Sequence, residues 1–272
     1  MSTEAKHSLT VDGVGPIEVT ATDTGRGHPF LVLHGGAGPQ SVSGFADLLV
    51  TTHGARVITP THPGFGATPR PDRLASIAAL ARVYVALLDE MEVEGVTVVG
   101  NSIGGWIAAE MALLGSPRIS SVILVDAVGI EVEGHPIADF FSLTLDQVAE
   151  FSYHDPERFR IDPTTMAEAQ RTVMAGNRAS LAIYGGRSMI DPSLRGRLAN
   201  ITVPTLVVWG DSDRIVDPEC GRAYAAAIPG ATFILLSGSG HLPQIETPEQ
   251  LLAPVWDFAA AHAGRESAPT GQ

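Results

Sequence analysis

The chain has one lysine, Lys6, one cysteine, Cys220, and few aromatic residues, 6% of its 272 positions. A lone cysteine excludes an intramolecular disulfide. Cys220 also has no glycine-framed turn around it, so it reads as a packed residue at a helix start rather than a nucleophile. Against 30 acidic residues the 17 basic ones leave a net charge of −13 with no basic cluster. Nucleic acid and anionic membrane surfaces are therefore not expected as partners. No apolar run approaches the roughly 18 residues of a membrane span. The polar start Met1-Ser2-Thr3-Glu4-Ala5-Lys6-His7 lacks the form of a signal peptide, and a soluble cytoplasmic protein is expected.

What the chain does have is apolar side chains, 44% of the total, enough for one full core. Short β-rich runs recur at Leu9–Val11, Ile17–Thr22, Phe30–Leu33, Arg56–Thr59, Val96–Val99, Ser121–Val125, Thr205–Trp209 and Thr232–Leu236. From the third run onward helical patterns intervene, as in the single apolar stripe Leu74, Ile77, Ala78, Ala81, Tyr84, Val85, Leu88 and Met91. Two antiparallel strands followed by β-α repeats predict an α/β fold, an eight-stranded and mostly parallel sheet with helices on both faces. One stretch breaks the alternation. Residues 131–200 carry helical patterns and turns but no strand, and so read as a helical lid inserted after the sixth strand. This divides the chain into a core, first part (1–130), a cap (131–200), a core, second part (201–263), and a polar tail (264–272) expected to be disordered.

The chemistry concentrates at strand ends. Val96-Thr97-Val98-Val99-Gly100-Asn101-Ser102-Ile103-Gly104-Gly105 runs from a β-branched stretch through a glycine-framed serine into the helical run beginning at Trp106. A serine on so tight a strand-to-helix turn needs small residues two positions either side, and Gly100 and Gly104 supply them. The G-x-S-x-G pattern is common by itself; its position between strand and helix makes it a nucleophile elbow. Serine needs a base to become reactive and an acid to orient that base. His241 lies in the small-residue loop Ser237-Gly238-Ser239-Gly240-His241-Leu242-Pro243 after the last strand, at the sheet end where open α/β folds place their sites. Asp213 follows the seventh strand in Gly210-Asp211-Ser212-Asp213, with Asp211 read as a turn-former and Asp126, after the sixth strand, as the reserve acid.

An acyl-transfer oxyanion needs two donors, and the backbone N–H groups of Ile103 and Gly36 are the candidates. Gly36 lies in His34-Gly35-Gly36-Ala37-Gly38-Pro39, whose glycines, Gly35 included, let backbone approach a substrate. No Gly-Lys-Ser/Thr follows, which argues against a phosphate-cradling loop, and His34 reads as structural. Phe140, Phe141, Phe151, Tyr153 and Met174 in the insertion, with Leu242, point to an apolar or aromatic acyl group, though each also suits the insertion's own core. Arg178, Arg187 and Arg160 are candidates for binding a substrate carboxylate, with plain surface placement as the alternative.

These segments, with Thr61-His62-Pro63-Gly64-Phe65-Gly66, resemble the α/β-hydrolase superfamily over Phe30 to about Phe258 apart from the insertion. The resemblance implies Ser102 as nucleophile, Asp213 as acid, His241 as base, an oxyanion hole at Ile103 and Gly36, and no metal or other cofactor. A serine nucleophile sets the chain apart from the haloalkane dehalogenases and epoxide hydrolases on the same scaffold. Val99-Gly100-Asn101-Ser102-Ile103-Gly104-Gly105 is similar to the meta-cleavage-product hydrolases, which split a carbon–carbon bond in vinylogous diketo acids. That subfamily has an asparagine beyond the glycine-rich loop, where this chain has Gln40-Ser41-Val42-Ser43, and an aromatic residue after the catalytic histidine, where this chain has Leu242. The expected activity is hydrolysis of a small carboxylic ester or lactone through an acyl-enzyme. Carbon–carbon hydrolysis, cofactor-free haloperoxidase or perhydrolase chemistry, and a non-catalytic small-ligand receptor are the alternatives.

Overall fold

The computed structural model describes residues 2–162 and 164–263. The expected tail, 264–272, lies outside the described residues. In chain order the elements are β1 (Ser2–Val11), β2 (Gly15–Thr24), β3 (Pro29–Leu33), α1 (Gln40–His53), β4 (Arg56–Pro60), α2 (Ile77–Glu90), β5 (Val96–Asn101), α3 (Ile103–Leu113) and β6 (Ile119–Val125). There follow α4 (Leu145–Ser152), α5 (Pro156–Phe159), α6 (Glu168–Gly185), α7 (Leu194–Arg197), β7 (Thr205–Gly210), α8 (Pro218–Ala227), β8 (Thr232–Leu236), α9 (Pro243–Glu246) and α10 (Pro248–His262).

The strands form one eight-stranded sheet in the order β1-β2-β4-β3-β5-β6-β7-β8. β2 pairs antiparallel with both neighbours, and the pairs from β4 to β8 are parallel. The central strands are buried on both faces, so successive side chains enter different cores. In β6, Val122 and Leu124 join the cluster containing Leu80, Tyr84, Ile107 and Tyr224 of α2, α3 and α8. Ile123 and Val125 join the opposite one, with Val42, Phe45 and Leu49 of α1 and Val255 and Ala259 of α10. Helices therefore cover both faces, as expected.

Two differences from the sequence reading have physical causes. β1 begins at Ser2 rather than Leu9, because it pairs residue for residue with β2 from Ser2↔Thr24 to Val11↔Gly15. At this edge alternate residues face solvent, so Glu4 and Lys6 hide the strand from a search for apolar runs. In α2, Val85 is only partly buried, while Leu80 and Leu87 are fully so. The helix starts at Ile77 because the Ser76 side chain accepts the Ala79 N–H at 3.2 Å, a cap for one of its free amides.

Chain reversal on either side of β3, toward β4 and then toward β5, opens a crevice at the carboxyl ends of β3 and β5, where such sheets bind ligands. Between β6 and β7 the described residues form helices and turns, with one isolated bridge from Gly129 to Ile190.

Candidate active site

Ser102 lies between β5 and α3, capping the helix, with φ 57 and ψ −119, a backbone conformation that a side chain adopts only when its surroundings force it. The forcing contacts are those of its glycines. A Cβ on Gly100 would lie 2.1 Å from the Gly104 carbonyl oxygen, and one on Gly104 would lie 2.4 Å from that of Leu33. The turn thus projects Ser102 at the N-terminus of α3, where the helix dipole favours negative charge. The Ile103 N–H is the first of that helix and has no carbonyl to bond within it. Gly35 sits directly beside the serine, its missing Cβ 3.1 Å from Ser102 Cβ.

Asp213 lies in the loop after β7. Its Oδ1 accepts the N–H groups of Ile215 and Val216 at 2.8 and 2.9 Å, which leaves Oδ2 facing His241. His241 Nδ1 donates to that oxygen at 2.8 Å, and both residues are buried. An imidazole held at Nδ1 turns Nε2 away from the acid as the proton acceptor. Among the described residues, none makes a hydrogen bond to the Ser102 hydroxyl. The structure therefore pairs Asp213 with His241 and places Ser102 in the adjoining turn, with no hydrogen bond between the serine and the imidazole.

Two straps tie these loops together. Asn101 Nδ2 donates to the His241 carbonyl at 2.9 Å, and Gln244 Nε2 donates to Asn101 Oδ1 at 3.1 Å. The second strap is the end of α4, whose last carbonyls have no partners within the helix. Phe151 O accepts the Arg214 N–H at 3.0 Å and Ser152 O the His241 N–H at 2.7 Å, so one helix end holds both the acid loop and the base loop.

The helices between β6 and β7 also reach the loops after β3 and β4. From one face of α6, Asn177 Oδ1 accepts the Gly66 N–H at 2.9 Å, while Ser180 Oγ and Tyr184 OH donate to the carbonyls of Gly64 and Pro63, each at 2.8 Å. Leu181 on the same face presses on Gly36, with Cδ2 2.7 Å from where a Cβ would stand. Met174 continues this face and is half-buried.

Other candidates have different surroundings. His34 is fully buried against His62, with ring centroids 3.7 Å apart. Its Nε2 accepts the His62 N–H at 3.1 Å, so Nδ1 carries the hydrogen and donates to Gly35 O at 2.8 Å. Burial drives the His34 imidazole down to about 4, and burial followed by His34 itself drives His62 well below the usual histidine range. His62 Nδ1 meets the Tyr84 hydroxyl. Both rings are thus neutral struts. Asp211 Oδ1 accepts the Gly238 N–H at 2.9 Å, tying two loops as a turn-former does. Cys220 is buried with its thiol toward His135 O, a packed position.

The arginines expected for a substrate carboxylate are otherwise engaged. Arg178 donates to Phe140 O at 2.8 Å and lies over the rings of Phe140 and Phe141, 4.8 and 5.5 Å from their centroids. Arg160 pairs with Asp146 and Glu157, and Arg187 is exposed near the Phe141 ring. Tyr153 stacks on Phe159 at 4.6 Å, and burial, then the charge of Glu246, push its hydroxyl up to about 12. Phe140, Phe141 and Phe151 pack against the main core, and Leu242 is buried at the start of α9. A cavity of about 720 Å³ is lined by the segment from Ile130 to Asp139 with Arg187, Ser188 and Ile190. Of the residues expected to bind substrate only Arg187 lines it, and neither Ser102 nor His241 does.

Asp126, Asp213 and His241 bring one donor atom each within 4.8 Å of one another. Their contacts suit protons rather than a metal. His241 Nδ1 and Asp213 Oδ2 already share a hydrogen, and Asp213 Oδ1 already takes two amides.

Sequence alone does not single out Asn101, Ser152, Asn177, Leu181 or Gln244 as supports of the site. The recurrence of Asn177, Ser180, Leu181 and Tyr184 at helical spacing was a signal available for α6. The strap at Asn101 has no local counterpart.

Comparison with known proteins places this geometry in context. Residues 30–254 match the model of the alpha/beta hydrolase family. The 2-hydroxy-6-oxo-6-(2'-aminophenyl)hexa-2,4-dienoic acid hydrolase of Metapseudomonas resinovorans is 26% identical, over 92% of this chain and 90% of that protein. Lipase 3 of Moraxella sp. (strain TA144) is 27% identical, over 88% of this chain and 79% of the lipase. Among solved structures, a thermophilic esterase from Thermogutta terrifontis superposes with a TM-score of 0.76 at 23% identity, covering 96% of this chain and all of that one.

Proposed function

Because the chain belongs to the alpha/beta hydrolase family, we propose that it is a serine hydrolase cleaving a small carboxylic ester or lactone through an acyl-enzyme on Ser102. The observation that carries this reading is the 2.8 Å pairing of His241 with Asp213, on a loop strapped to the residue before Ser102. His241 Nε2 takes the Ser102 proton as Oγ attacks the carbonyl carbon. The Ile103 and Gly36 N–H groups hold the resulting oxyanion, each worth about 3–4 kcal/mol in the transition state. Collapse expels the alcohol, protonated by His241. Water, deprotonated by the same imidazole, then releases the acid and regenerates the serine.

The helices between β6 and β7 serve as the lid of this site, with Leu181 above Gly36 as its wall and an apolar or aromatic acyl group as the substrate portion it meets. Carbon–carbon hydrolysis of vinylogous diketo acids is the second reading. It is favoured by the similarity to the 2-hydroxy-6-oxo-6-(2'-aminophenyl)hexa-2,4-dienoic acid hydrolase, aligned over 92% of the chain.

A panel of p-nitrophenyl esters, lactones and a vinylogous diketo acid, run with wild type, Ser102→Ala and Asp213→Asn, tests both. Ester or lactone turnover is expected, falling about 10⁶-fold in Ser102→Ala and about 10⁴-fold in Asp213→Asn. Unchanged rates in Ser102→Ala would remove the mechanism. A diketo acid outrunning every ester in kcat/KM would install the second reading, and binding without steady-state turnover would point to a receptor.

A further inference from the structure

Asp126 follows β6 in a left-handed conformation, φ 46, with no exposed surface. β6 and β7 run parallel in register, Val125 beside Val208, so the residues leaving the two strands converge. The Asp126 N–H donates to Val208 O at 3.0 Å, and its Oδ1 accepts the Gly210 N–H at 2.9 Å. Its other oxygen, Oδ2, is buried with no hydrogen-bond donor in reach among the described residues. The titratable groups facing it are Asp213, from the loop after β7, and His241, from the loop after β8. Among the described residues, no lysine or arginine hydrogen-bonds or ion-pairs with it.

Two buried carboxyl groups whose oxygens come within 4.8 Å of one another disfavour a second negative charge, so the pair favours one charge and one proton. Hydrogen bonding decides which keeps the charge. Asp213 receives two backbone amides on Oδ1 and the imidazole on Oδ2, whereas Asp126 receives a single amide. We propose that Asp126 is a neutral carboxylic acid whose Oδ2–H donates to the Asp213 carboxylate, making it a positioning residue that steadies the acid behind His241. The inference rests on the Ser102, Asp213 and His241 assignment for its catalytic consequence, though not for the location of the proton.

Burial and the nearby Asp213 charge push the Asp126 carboxyl well above the usual carboxylate range, in accord with the hydrogen-bond argument. The proton stays on Asp126 through the reaction. Moving it to Asp213 would take away the charge that stabilises the imidazolium formed when Ser102 attacks. An O–H donated to Asp213 also fixes the orientation of that carboxylate toward His241 Nδ1.

The test uses the full chain and two substitutions. Asp126→Ala removes the donor and should lower kcat for an activated ester about 10–100-fold with little change in KM. Asp126→Asn, whose amide can accept from Gly210 and donate to Asp213 at the same positions, should restore most of that loss without displacing the acid limb of the pH–rate profile. Infrared difference spectra of wild type at pH 8 should show the carbonyl stretch of a buried neutral carboxylic acid, absent from Asp126→Asn. A wild type without that band would overturn the proposal, as would an Asp126→Asn protein as impaired as Asp126→Ala or shifted in its acid limb. Should Asp126→Ala fail to fold, the band alone decides. An intact band in a protein whose Ser102→Ala variant remains active would sink the triad assignment while leaving the proton on Asp126.

Discussion

Asn101 donates from Nδ2 to the main-chain carbonyl of His241 at 2.9 Å, joining the residue before the proposed nucleophile to the residue that bears the proposed base. The side chain is buried, and its oxygen is in turn held by Gln244. Removing it leaves the His241 carbonyl without its donor. Asn101→Ala should cost about 1–3 kcal/mol in stability and lower kcat more than it raises KM, since the base loop loses its register to the serine. Asn101→Asp should do worse, because a carboxylate oxygen would then face a carbonyl oxygen. Thermal melts and ester kinetics on the two variants check this order, and an Asn101→Asp protein as active as wild type would remove the strap from the argument.

Leu181 rests on Gly36 and is almost fully buried, so it bounds the space above the proposed oxyanion hole. Leu181→Ala should open that wall and shift ester preference toward longer acyl chains, since each methylene newly buried is worth about 0.8 kcal/mol. The same truncation should destabilise the fold by about 2–5 kcal/mol, as cavity-forming substitutions do. The ratio of kcat/KM for an octanoyl over a butanoyl ester is the measurement, and an unchanged ratio would place the acyl chain elsewhere.

What could be read from sequence was local: Ser102, Asp213 and His241 each follow a strand, among small residues that allow a sharp turn. Their supports join distant segments. Asn101 reaches residue 241, and the carbonyls of Phe151 and Ser152 serve loops some 60 to 90 positions further on, contacts that no periodicity encodes. Arg178 shows the opposite failure. An arginine in an apolar insertion suggests a substrate anion, yet two adjacent phenylalanine rings and the Phe140 carbonyl occupy it. The place of Asp126 after a strand was visible as well, but its unpaired oxygen depends on the register of β6 with β7.

Stability should depend on pH in two opposed ways. Unfolded histidine takes up a proton near 6.5, whereas folded His34 does so only at about 4. Between those values the unfolded state binds more protons, so stability is lost as pH falls, at roughly 1.4 kcal/mol per pH unit for this residue. His62, also lowered by burial, adds in the same direction. Asp126 acts with the other sign. Its raised folded value means that the native state keeps a proton the unfolded chain releases near 4, and stability is lost as pH rises above that. Urea unfolding of wild type and Asp126→Asn from pH 4.5 to 8 separates the two. The variant should gain on wild type as pH rises from 4.5, and parallel curves would mean that Asp126 is ionised in the fold.

The end of α4 and the base loop meet at Gly240, which permits the contact because it has no side chain. A Cβ there would stand 2.2 Å from Ser152 O and 2.7 Å from Tyr153 Cα, both backbone atoms that cannot swing aside. Gly240→Ala should therefore push the loop off the helix end, lengthen the hydrogen bond from His241 N–H to Ser152 O, and lower both kcat and melting temperature. Gly44, within α1, is the matched control. A Cβ at Gly44 meets nothing within 4 Å, so Gly44→Ala should raise stability by about 0.5–1 kcal/mol through helix propensity and leave kinetics alone. The two alanines together distinguish a steric effect at the base loop from a general response to losing glycine. Equal kinetics in both variants would show that α4 does not hold His241 in place.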